Sequence, residues 1–212
     1  MTTLSPTELL DYRRTVSDNY TRLRQSTLSL EERSRHFRQA RDELFASHPQ
    51  SALSRQQQAN FSGLHYYPYD PAWRFVLALD RDVQPDIIAV PLQDDGLFRM
   101  QRFARIHFTA QSQQCSLSLF WIMGYGGGIF LPFRDETNQA GDTYGGGRYL
   151  LDTIKHADLG TENGNLVIDF NYAYNPSCAY NPRWHCPLPP QENWLPISIP
   201  AGERVFPANQ PA

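Results

Sequence analysis

The side chains best suited to chemistry gather between residues 131 and 193. Leu166-Val167-Ile168 is apolar and β-branched, Asp169 follows it, and Asn171 stands two residues further on. On a continuing strand both polar residues point to one side, so a carboxylate and an amide meet at a strand end. Such a pair suits a general acid or base. It suits equally well a loop cap, in which the carboxylate accepts backbone N–H bonds. Upstream, Leu131-Pro132-Phe133 runs into Arg134-Asp135-Glu136, and Arg148 follows the tract Tyr144-Gly145-Gly146-Gly147. Guanidinium groups and the N–H groups of a glycine loop can together hold an anion. The competing reading is a buried ion pair of Arg134 with Asp135 or Asp169 that only fixes the fold. Neither this tract nor Tyr125-Gly126-Gly127-Gly128 has the Lys-Ser/Thr of a phosphate loop, and the plain reading of both is a hairpin turn.

A second group surrounds a doubled motif. Ala173-Tyr174-Asn175-Pro176 recurs as Ala179-Tyr180-Asn181-Pro182, and each copy is trailed by a cysteine, Cys178 and Cys186. Asn-Pro steps favour turns, and buried tyrosine hydroxyls need partners that the asparagines can supply. Glu192 and Asn193 end a proline-stiffened piece that begins at Cys186, which presents their polar groups at fixed positions. Cys178, His185 and Cys186 are weak candidates for a metal site, because no second ligand pair accompanies them unless His65, His107 or His156 is recruited. A disulfide closing this short loop is disfavoured in a reducing compartment. Two separate, half-buried structural thiols are the reading we adopt. A catalytic thiolate at Cys178 would need a base that the spacing does not name.

The elements that must position these residues are of two kinds. Residues 1–50 read as a helical arm. Ser5-Pro6-Thr7-Glu8 and Ser29-Leu30-Glu31-Glu32 are helix starts, with apolar stripes through Leu9, Val16, Tyr20 and Leu23 and then Phe37, Leu44 and Phe45. Helices this polar need a partner surface. Residues 51–212 read as an antiparallel β domain with long C-terminal loops. Strands are expected at 73–79, 86–92, 98–108, 115–123, 129–133, 165–170 and 195–199, with a hairpin turn at Asp94-Asp95-Gly96. The fold class expected is mainly β (α+β overall), an antiparallel barrel or sandwich-like sheet with the N-terminal helices packed on it.

The bulk composition narrows the classes. The net charge is −3 over 212 residues, so no basic surplus points to nucleic acid. No apolar run is long enough for a membrane span, and the first residues lack the basic and apolar regions of a secretory signal. Three cysteines without such a signal point to reduced thiols and a cytoplasmic location. No cofactor fingerprint is visible.

Several motifs together resemble a known family. They are Pro132-Phe133-Arg134-Asp135, Thr143-Tyr144-Gly145 with Gly147-Arg148-Tyr149-Leu150, and Asp169-Phe170-Asn171 with Ala173-Tyr174-Asn175-Pro176 and Cys178. Cys186-Pro187 with Pro189, Glu192-Asn193 and Ala201-Gly202-Glu203 complete the set. The chain is similar, over roughly residues 40 to 206, to the bacterial and archaeal family catalogued as domain-of-unknown-function family 1684. The resemblance implies a fold-sized unit and candidate positions, and no settled activity.

Three functions follow as expectations. The first, which we favour, is a pocket at the strand ends that binds a small anionic metabolite and can convert it. There Arg134 and Arg148 hold the anion, Asp169 is the acid or base, and Tyr144, Tyr174 and Asn171 orient the ligand, with Asn175, Glu192 and Asn193 on its wall. The second is a non-catalytic protein whose buried polar network fixes the loops, while the N-terminal helices bind a partner or a second copy. The third is a metal site at Cys178, His185 and Cys186. The first requires the named side chains to converge, and dense charge at strand ends favours it because burying charge is costly.

Overall fold

The computed structural model describes residues 5–92 and 96–207. Two helices open the chain, α1 (Pro6–Gln25) and α2 (Leu30–Ser47). Ser5 caps the first with Pro6 inside it, and Ser29 with Glu32 forms a reciprocal capping box on the second, as the sequence signals require. Their apolar stripe is not left open. Tyr20, Leu23 and Phe37 are buried with Ala157 and Tyr172, so the arm packs on the loops that follow the last strands. A short helix α3 (Arg55–Ala59) leads into the β region.

Among the described residues eight strands form two antiparallel sheets. The strands β2 (Ile87–Pro91), β3 (Leu97–Ala110), β4 (Gln113–Ile122), β5 (Gly128–Phe133) and β6 (Arg148–Asp152) form a five-stranded meander in chain order. The strands β1 (Arg74–Leu77), β7 (Thr161–Glu162) and β8 (Asn165–Asp169) form the second sheet, in the order β1-β8-β7. The result is sandwich-like, and of the two architectures expected the closed barrel is not formed. The main core lies between the sheets. Phe170 is fully buried there and meets the rings of Trp73, Phe75, Phe108 and Phe133. A second cluster covers the other face of the large sheet with Met100, Phe120, Phe130 and Tyr149.

Several expected elements are corrected. Trp73 belongs to a 3-10 turn, Pro71–Trp73, and β1 starts only at Arg74. Residues 195–199 form no strand. Leu195, Ile197 and Ile199 are buried as alternation demands, but their backbone bonds go to Arg134 and Glu136 rather than to a ladder. A helical turn α4 (Glu136–Ala140), unforeseen because five residues carry no periodicity, interrupts the strands, and β6 follows it. The expected turn at Asp94-Asp95-Gly96 has its first two residues outside the described residues. Among the described residues no helix is long and apolar enough to cross a membrane.

Candidate functional site

The residues expected to converge at strand ends are held in separate settings. Arg148, on β6, is fully buried. Its Nη2 meets Asp135 Oδ2 at 2.5 Å and donates to Ile199 O at 3.1 Å, while Nη1 donates to the carbonyls of Ala201 and Glu203. The guanidinium also stacks on Phe133, 4.9 Å from the ring centroid. Asp135 is committed in turn. It caps α4 by accepting from Thr137 N and Thr137 Oγ1, and its own N–H donates to Asn138 Oδ1. The ion pair expected of Arg134 therefore belongs to Arg148, and the Arg-Asp pair fastens β6 to the C-terminal segment. Nothing of Arg148 is open to a ligand.

Glu203 anchors a second buried knot. It accepts from Arg41 Nη2 at 2.9 Å, from Asn175 N at 3.1 Å and from the Tyr180 hydroxyl. Burial pushes its carboxyl up against the opposing pull of Arg41. Asn175 also donates to Arg204 O at 2.8 Å, and the Tyr174 backbone pairs with Tyr149. Burial raises the Tyr174 phenol well above its ordinary value. These residues thus tie α2, the first AYNP turn and residues 203–204 together.

Asp169 ends β8 and caps the turn Phe170–Tyr172. It accepts from Asn171 N at 2.9 Å, from Asn171 Nδ2 at 2.8 Å and from the Tyr69 hydroxyl at 3.4 Å. Burial raises its carboxyl, and the bonds from Asn171 and the charge of Arg74 oppose the rise. Asn171 is itself locked, since it exchanges bonds with Asp70 N and O. Asn193 is a staple between layers. Its Oδ1 accepts from Ser118 N at 2.8 Å, and its Nδ2 donates to Ser118 O at 2.9 Å and Pro132 O at 2.7 Å. Glu192 meets Ser118 Oγ at 2.5 Å and Arg102 Nη1 at 3.2 Å. Arg134 lies over the Trp194 ring at 4.8 Å, and among the described residues no hydrogen bond or ion pair links it to Asp169.

Tyr144, Cys178 and Cys186 do come together. The turn Ser177–Ala179, set by the first Asn-Pro step, carries Cys178 back towards Cys186. Cys178 N donates to Cys186 Sγ at 3.4 Å, and the Tyr144 hydroxyl donates to Cys178 Sγ at 3.5 Å. Each thiol shifts the other's protonation, raising Cys178 and lowering Cys186. The glycine tract serves this packing. A Cβ on Gly146 would stand 2.5 Å from the Tyr144 ring, and one on Gly147 (φ +95°) would stand 2.7 Å from both Phe133 O and Pro189. Both thiols are free and half-buried, as expected, but they are not apart, because a tight turn closes a spacing of eight residues. His185 does not complete a metal site with them. Among the described residues no group of three or more His, Cys, Asp or Glu side chains could hold a metal ion.

Two clefts lie along α2. One, of about 190 Å³, opens between α1 and α2 and is lined by Asn19, Arg22, Ser26, Arg33 and His36 over Leu23 and Phe37. The other, of about 480 Å³, runs between α2 and Pro68-Tyr69, where Glu31 and Asp42 balance Arg35 and Arg38. Sequence reasoning missed both. The signal was the density of arginine in α2, with Arg33, Arg35, Arg38 and Arg41 within nine residues.

Comparisons with known proteins were made against this geometry. Residues 59–204 match the family described as "Protein of unknown function (DUF1684)". The chain is also similar to an uncharacterized protein of Haloarcula marismortui solved in solution by NMR. The identity is 32%, the TM-score 0.58, and the match covers 82% of this chain and 93% of the other. No curated protein matches.

Proposed function

We propose that this chain, which belongs to the DUF1684 family, binds a small anionic molecule, and that the binding site is the cleft between α1 and α2. The strand-end pocket expected from the sequence loses its support, because Arg148, Asp169, Asn171 and Asn193 have internal partners. The observation that carries the reading is electrostatic. Arg22, Arg33 and His36 line a concave site whose lining contains no carboxylate. Among the described residues neither Arg22 nor Arg33 has an ion-pair partner, whereas the buried Arg41 and Arg148 both have one. Arg22 donates to Asn19 Oδ1 and Arg33 to Leu28 O, both neutral acceptors; guanidinium groups so held above an apolar floor of Leu23 and Phe37 favour an anion with a short hydrocarbon body. At about 190 Å³ the cleft suits inorganic phosphate or a short dicarboxylate better than a nucleotide.

Thermal denaturation at low salt tests this with phosphate and succinate as probes. Binding to the folded state should stabilise it by about 2.7 kcal/mol at a hundred times Kd, and added neutral salt should weaken the effect. The double variant Arg22→Ala/Arg33→Ala should lose the response while keeping the melting temperature of the unliganded protein. The reading is overturned if neither probe shifts the wild-type transition, or if the double variant responds as the wild type does.

A further inference from the structure

We propose that Cys178 and Cys186 form a redox-active dithiol that exchanges with a small disulfide substrate, with Cys186 as the attacking sulfur and Cys178 as the resolving one. The geometry assigns the roles. Cys186 Sγ accepts from the backbone N–H of Cys178 at 3.4 Å. An amide donor aimed at a sulfur favours its thiolate. The Cys178 sulfur accepts from the neutral Tyr144 hydroxyl at 3.5 Å. Both thiols are partly exposed, and Leu188, two residues on from Cys186, is 48% exposed.

The loop is held on both sides of Cys186. The Tyr149 hydroxyl donates to Pro187 O at 2.6 Å, and Trp184 Nε1 donates to Ala52 O at 3.2 Å. Such anchoring keeps the two sulfurs in reach of each other and lowers the entropy of closing a bond between them. The titratable groups around Cys186 are Cys178, Tyr144, Tyr149 and Lys155. The Cys178 side chain leads in holding the Cys186 thiol down, to about 6, with the amides and Lys155 adding to it against burial. Cys186 in turn pushes Cys178 up. All of these sulfur positions and Tyr144 lie inside the span matched by the family.

The reaction balances as two exchanges. Cys186 thiolate attacks one sulfur of R–S–S–R, the substrate S–S bond breaks, and RS⁻ leaves with a proton from solvent. Cys178 then attacks the Cys186 sulfur of the mixed disulfide, and a second RS⁻ leaves and takes the Cys178 proton. The dithiol loses two electrons and two protons, the protein gains the Cys178–Cys186 bond, and the substrate becomes two thiols. In the second step the Tyr144 hydroxyl donates to the Cys178 thiolate as it forms, so Tyr144 is a positioning residue.

Reduced full-length protein treated with oxidised glutathione tests the assignment by intact mass and peptide mapping. The wild type should lose two hydrogens, yield a Cys178–Cys186 cross-linked peptide and accumulate no glutathione adduct. Cys178→Ser should trap one glutathione on Cys186. Cys186→Ser should form an adduct at Cys178 at least about tenfold more slowly. Tyr144→Phe should leave the first exchange unchanged and slow closure of the internal bond roughly tenfold. If a serine variant fails to fold, alkylation of the wild type decides, with Cys186 modified at least about tenfold faster than Cys178 at neutral pH. The proposal is overturned by glutathione adducts on the wild type without the internal cross-link, by equal rates in the two serine variants, or by equal alkylation of the two thiols.

Discussion

Arg148 and Cys186 lie on two sides of one polar system and teach opposite lessons. Arg148 is fully buried, and both of its terminal nitrogens are matched, to Asp135 and to the carbonyls of residues 199, 201 and 203. Cys186 is only half buried, and its sulfur accepts from the backbone amide of Cys178. Both regions belong to the run of charged, amide and tyrosine side chains that looked like one site. Polar density marks a fold-fixing knot where the charges are paired internally and water is excluded, even though Arg148 Nε itself has no hydrogen-bond partner. It marks a site where donors converge on an atom that solvent can still reach.

The largest effect should come from breaking the closed region. Arg148→Met removes the cation and leaves Asp135 buried and uncompensated, which should destabilise the fold by about 3–5 kcal/mol in urea titration. Adding Asp135→Asn should recover part of that loss, since no charge then remains buried. A loss under about 1 kcal/mol in Arg148→Met would mean that Asp135 reaches water, and the contrast with Cys186 would collapse. Asn193→Ala comes next. It strips partners from Ser118 N–H, Ser118 C=O and Pro132 C=O at once, all on buried strands, and should cost about 2–4 kcal/mol. If Asn193 instead lined a ligand site, the same change would leave stability nearly intact.

Much of the architecture was legible from residue types. The helix starts at Ser5 and Ser29 carry their own caps, and the end of β3 alternates in burial as its sequence does, whereas β4 is buried on both faces at Leu117–Phe120. Residues 195–199 show where such reading stops. Their alternation is real, but a strand needs a neighbour with free backbone groups, and only tertiary structure decides that. The polar residues were chosen well as fixed points and poorly as a constellation. Local sequence predicts that Asp169 will cap a turn and that Asn-Pro will bend the chain. It does not state which of Asp135, Asp169 or Glu203 meets which arginine, because those partners are far apart along the chain. The thiol pair was hidden for the converse reason. A spacing of eight matches no ligand motif, and only the turn at Ser177–Ala179 makes it short in space.

Asp169 lies between the two regimes and gives the smallest but sharpest test. It is buried like Arg148, yet Arg74, the cation that favours its charged form, is paired with Glu162. Burial therefore wins and raises the carboxyl. A raised acid binds its proton more tightly folded than unfolded. Its contribution to stability is complete below the unfolded carboxylate range and is lost as pH rises through the higher folded value. Asp169→Asn cannot titrate, while its amide oxygen can still accept from Asn171 N–H. The variant's deficit in melting temperature should thus be greatest in acid and shrink towards neutrality, remaining smaller than either effect above. A deficit that grows with pH would show that the ionised carboxylate is the stabilising form, matched by a charge as Arg148 is, and would move Asp169 from the turn cap to the closed ionic network.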